Sequence, residues 1–104
     1  MTKNIDILKK TLVNEIDNLV DDIQVNSVLN NKSYINKIFS EKIIPILFEI
    51  KTNLEVGNFY LIDLREKINN CVAITSDIVD LDKDYYIFYS RIKILRENIL
   101  SKIF

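Results

Sequence analysis

The sequence predicts an all-α protein built as an antiparallel four-helix bundle. Three observations lead there. Only one glycine, Gly57, and one proline, Pro45, occur in 104 residues, so there are few places for the tight turns that join strands. Apolar residues recur at spacings of three and four along most of the chain, which lines up one face of a helix. Four such stripes are separated by three polar junctions, and helices of about 20 residues, each roughly 30 Å long, give a consistent bundle height. A single domain over residues 1–104 is expected, large enough for one core without disulfides or a structural metal.

The first stripe is Ile5, Leu8, Leu12, Ile16, Leu19 and Ile23, which predicts a helix from about residue 3 into the mid-twenties. Asn30, Asn31, Lys32 and Ser33 then read as a turn, with Ser33 suited to cap the next helix. The second stripe runs Ile35, Ile38 or Phe39, Lys42 or Ile43, Ile46 or Leu47, Ile50 and Leu54. Pro45 lies inside it, so a kink or break is expected near residues 41–45. Gly57 and Asn58 mark the next boundary, the first as a left-handed helix end and the second as a cap.

Leu61, Leu64, Ile68, Cys71, Thr75 and Ile78 form the third stripe, and Tyr85, Phe88, Ile92, Leu95, Ile99 and Ile103 the fourth. Leu81 links them in phase, so periodicity leaves open whether they are one helix or two. Charge favours a break near 80–84. Asp80, Asp82 and Asp84 suit a helix start, whereas aspartate suits a helix interior poorly.

The residue types exclude much chemistry. There is no histidine, so neither Ser-His-Asp nor Cys-His catalysis can be assembled within the chain. One cysteine cannot form an intramolecular disulfide or a Cys/His zinc site, and on the third stripe Cys71 reads as a small buried hydrophobe. One glycine cannot make a phosphate-cradling loop. Asp80, Asp82 and Asp84 alternate like the opening of a calcium loop, but Tyr85 stands where glycine is required and Arg91 where glutamate is required. On a helix Asp77, Asp80 and Asp84 would share a face able to meet a divalent ion. A solvated helix junction with a capping aspartate is the simpler account. No enzyme, cofactor or metal centre is expected.

The net charge is −1, without a global bias towards nucleic acid or anionic lipid. No apolar run is long enough to span a bilayer, and Asp6, Lys9 and Lys10 interrupt any signal-peptide core, so cytoplasmic residence is expected. The 19 isoleucines, 12 asparagines and 11 lysines against one alanine follow AT-rich codons and hint at a bacterial, phage or mobile-element source.

What remains is binding. Glu15, Asp17, Asp21 and Asp22 form one acidic cluster, either helix caps or charge kept for a partner. Asp77, Asp80, Asp82 and Asp84 form a second, followed by Tyr85-Tyr86-Ile87-Phe88-Tyr89. Five successive bulky residues wrap fully round a helix, so some must face away from the core. The candidate partner-binding residues are therefore Asp77, Asp80, Asp82, Asp84, Tyr85, Tyr86 and Tyr89, acids to steer and tyrosines to anchor. A basic protein is the expected partner, and neutralisation of a basic nuclease toxin, as immunity proteins perform, is the leading function by analogy of size, class and charge pattern. The alternative is a self-associating structural protein, because Ile43, Ile44, Ile46, Leu47 and Phe48 cover nearly every face of the second helix. Arg91, Lys93, Arg96 and Lys102 offer a weaker nucleic-acid reading.

Overall fold

A computed structural model describes residues 2–29, 33–56 and 61–103, and every described residue except Asp82 is helical. Helix α1 spans Thr2–Leu29. Helix α2 covers residues 33–56 as Ser33–Ile38, a wider π turn at Phe39–Ile43, and Ile44–Val56. Helix α3 is Leu61–Leu81. Helix α4 covers residues 83–103, opening with a 3₁₀ turn at Lys83–Tyr85 and ending with a second π turn at Ile99–Ile103. Each helix packs against its chain neighbours, and α4 closes the ring against α1. The result is an antiparallel four-helix bundle of 46 × 22 × 19 Å, the long axis matching α1 at about 1.5 Å per residue.

The stripes read from sequence are the core. Leu12, Ile16, Leu19 and Ile23 of α1, Leu64, Ile68, Cys71 and Ile78 of α3, and Phe88, Ile92, Leu95 and Ile99 of α4 are all buried. Removing that much apolar surface from water is the main driving force for the fold. Thr75 is the one buried polar residue among those described, and its hydroxyl donates to the carbonyls of Cys71 at 2.7 Å and Val72 at 3.1 Å. The cap expected at Ser33 and the boundary at Gly57 and Asn58 lie outside the described residues or side chains.

The expected disturbance near Pro45 is a π turn rather than a break. The N–H of Ile44 donates to the carbonyl of Phe39, five residues back, in the turn immediately before the proline, whose ring cannot donate to the helix. Spacing explains why the wide turn is useful. Ile35, Phe39, Ile43 and Leu47 step by four, and each such step drifts about 40° on a regular helix. The extra residue of the π turn takes up that drift, so Ile35, Phe39, Ile43, Leu47, Ile50 and Leu54 are all buried. It also lets the adjacent Ile43 and Ile44 both reach the interior. Most of the apolar surplus of this segment is thus absorbed inside the bundle, with Phe48 left 43% exposed.

Cys71 illustrates burial in chemical terms. Desolvation pushes its thiol up from the ordinary 9.0 to about 12, because the thiolate would lose its hydration. The folded state therefore holds the proton more tightly than the unfolded chain. Stability from this group is intact below about pH 9 and is lost as pH rises from there towards about 12, at up to roughly 1.4 kcal/mol per pH unit. Native protein at pH 8 is expected to resist a thiol-specific reagent that labels it fully in denaturant. Rapid native labelling would contradict the buried position.

Candidate functional site

The candidate site sits where α3 ends and α4 begins. Asp82 is the hinge. Its backbone is extended, at φ −152° and ψ 109°, and its carboxylate accepts from the N–H of Asp84 at 3.0 Å. A capping aspartate thus starts α4, and α3 and α4 are two separate helices.

Tyr85 does not belong to a binding surface. It is only 2% exposed and lies in the core, its ring stacked on Phe39 at 5.6 Å and tilted against Phe88 at 6.4 Å. The reason is register. The 3₁₀ turn places Tyr85 in line with Phe88 and Ile92, the inward stripe of α4. Phe39 itself belongs to the π turn and meets Phe88 edge-on at 5.7 Å, so the aromatic cluster ties α2 to the start of α4.

Tyr86 and Tyr89 behave differently. Tyr86 is 58% exposed and Tyr89 half-buried, with ring centroids 5.9 Å apart. The Lys93 ammonium lies 5.4 Å from the Tyr89 centroid. Arg96 donates from Nε to Asn69 Oδ1 at 2.7 Å, which identifies the flanks of α3 and α4 that face each other. Tyr89, seven residues before Arg96, lies on that flank of α4. Asp80, eleven residues after Asn69, lies on the matching flank of α3. The structure therefore brings Asp80, Tyr86 and Tyr89 to one side of the bundle end. Asp77 is exposed about a sixth of the way round α3 from Asp80, and Asp84 is exposed in the junction.

The two acidic clusters have different fates. Asp17 pairs with Lys51 of α2 at 2.8 Å, and Asp22 with Arg91 of α4 at 2.6 Å. The Asp17 carboxylate also raises Lys51 above its ordinary pKa by accepting its hydrogen bond. α1 continues seven residues beyond Asp22, so these acids are mid-helix ties between neighbours and not caps. Asp77, Asp80 and Asp84 make no ion pair among the described residues. The last turn of α3 also carries no basic residue. Two carboxylates at a helix C-terminus oppose its dipole, costing about 0.3–1 kcal/mol each. Among the described residues no three His, Cys, Asp or Glu side chains gather as a metal site would require.

Sequence reasoning did not single out Leu81, Ile87 and Ile94 as surface residues, and they are 66%, 61% and 57% exposed. The signal was present. Ile87 and Ile94 are seven apart, a second apolar stripe about a third of the way round α4 from the one formed by Phe88, Ile92 and Leu95. Of the basic residues on α4, Arg91 and Arg96 are engaged with Asp22, Asn69 and Glu97. Fold and surface together define a small helical bundle whose α3–α4 end carries exposed acidic and apolar side chains. No family model, curated protein or solved structure matches the chain.

Proposed function

We propose that the protein is a non-enzymatic binding module that neutralises a basic protein, of the kind that immunity proteins oppose, through the surface formed by Asp80, Asp84, Tyr86 and Tyr89. The observation that carries the reading is the pairing of the exposed Tyr86 and half-buried Tyr89 with carboxylates that make no ion pair among the described residues. Asp80, in the last turn of α3, weakens the helix it sits on, so its placement calls for a compensating use. Opposite charge speeds encounter, and tyrosines that become buried supply affinity at small entropic cost. Asp77 would add to the steering field from the rim, while Asp82 contributes by setting the angle of α4. The buried Tyr85 contributes by anchoring Tyr86 next to it.

The test is capture from host lysate by tagged protein carrying Asp80→Lys, Tyr89→Ala or no change. The wild type is expected to retain a basic protein that Asp80→Lys loses by tenfold or more, each variant keeping its helical circular dichroism. Undiminished capture by both variants would remove this surface from consideration.

A further inference from the structure

We infer that the outward face of α4 is also a self-association surface, on which a second copy of this chain packs antiparallel about a two-fold axis at Ser90. The face lies opposite the core stripe of α4. It is a shallow groove of about 380 Å³ lined by Tyr86, Ser90, Lys93, Ile94, Glu97 and Asn98. Its composition is self-complementary, which a two-fold interface requires.

In an antiparallel pair centred on Ser90, a residue a given number of places before Ser90 lies level with the partner residue the same number after it, and the two-fold keeps each residue on its own edge of the seam. Ile94 then meets the partner's Ile87, aliphatic chain against aliphatic chain, and the contact occurs twice. Lys83 meets the partner's Glu97, opposite charges at both ends of the seam; both side chains are exposed. Tyr86 meets the partner's Lys93, whose methylene stem can lie along the ring while the ammonium stays in water. Ser90 at the crossing is small enough to let two helix axes come within the usual 8–10 Å. The exposure of three large apolar side chains on one helix, Tyr86, Ile87 and Ile94, is thereby relieved.

Four turns of a single helix are a smaller footprint than the about 800 Å² per partner of a standard interface. A reversible dimer is therefore expected, not an obligate one. Tyr86 is shared with the surface proposed for the basic partner, so self-association and partner capture compete. The dimer does not depend on that proposal, since Asp80 lies outside the seam.

Analytical ultracentrifugation up to about 1 mM chain, the weak limit of a useful association, tests it. Wild type and Asp80→Lys are expected to show the same monomer–dimer equilibrium. Lys83→Glu and Glu97→Lys should each weaken it by about three- to tenfold, and the double exchange should restore it, because the cross pairs are remade. Ile94→Asp should leave only monomer. A wild-type chain that stays monomeric throughout overturns the inference. So does a dimer indifferent to Ile94→Asp and to the single charge reversals.

Discussion

Tyr85→Ala is expected to destabilise the bundle by about 3–5 kcal/mol, whereas Tyr86→Ala, one residue further on, should cost no more than about 0.5 kcal/mol. The contrast follows from environment alone. Tyr85 is enclosed between Phe39 and Phe88, where losing the ring leaves a cavity and removes aromatic contacts from both neighbours. Tyr86 is 58% exposed, so its removal changes little beyond solvent contact. For a domain of this size the first substitution should lower Tm by roughly 15–30 °C, a large part of the stability typical of small domains. Urea unfolding of the two variants measures the difference directly. A loss below about 1 kcal/mol for Tyr85→Ala would mean the aromatic cluster is not packed as described.

The second large effect concerns chain length within a helix. Deleting Ser40 from the π turn of α2 should leave a folded protein, whereas deleting Ala73 from the middle of α3 should unfold it. Ser40 and Ala73 are both exposed, so neither deletion removes core packing itself. Removing Ser40 shortens the step from Phe39 to Ile43 to three. The stripe Ile35, Phe39, Ile43, Leu47, Ile50 and Leu54 then fits a regular helix without a wide turn. Removing Ala73 turns every later residue of α3 by about 100° against every earlier one, so Leu64, Ile68 and Cys71 could no longer share the core with Ile78. That amounts to exposing one group or the other and should exceed about 4 kcal/mol. Thermal melts of both deletions decide it. Pro45→Ala in the Ser40 deletion should recover stability, since a proline in a regular helix interior costs about 3 kcal/mol. Unfolding by the Ser40 deletion together with Pro45→Ala would show that the π turn does something other than restore register.

Both expectations mark how far the sequence could be read. The four stripes were legible because helical periodicity is local and depends only on residues three or four apart, and the break before α4 was legible in the aspartates that lie there. Asp82 could be foreseen as part of a cap because an aspartate side chain can accept from an N–H two residues on. The π turn could not be distinguished from a kink. Proline signals that a helix is disturbed, but the form depends on which carbonyl the next N–H reaches once the helix is packed.

The binding surface was legible only in part, and Tyr85, Asp17 and Asp22 show why. Five bulky residues in a row announce that some must face outward, but their phase is set by the 3₁₀ turn that opens α4. One turn of that kind moved Tyr85 into the core and left Tyr86 outside. The acids of α1 looked misplaced because their partners, Lys51 and Arg91, are 34 and 69 residues away in sequence. An ion pair between helices is invisible until the helices are adjacent.

The sequence by itself determined that this chain is helical, that it makes four helices, and that acid–base chemistry through histidine is absent. Those properties follow from residue type and from spacing along the chain. Only the tertiary structure decided which side chains are spare. Asp17 and Asp22 are taken up by neighbouring helices and Tyr85 by the core, whereas Asp80, Tyr86, Tyr89, Ile87 and Ile94 are left facing outward. Whether a charge or a ring is free to meet a partner depends on what the fold has already placed against it.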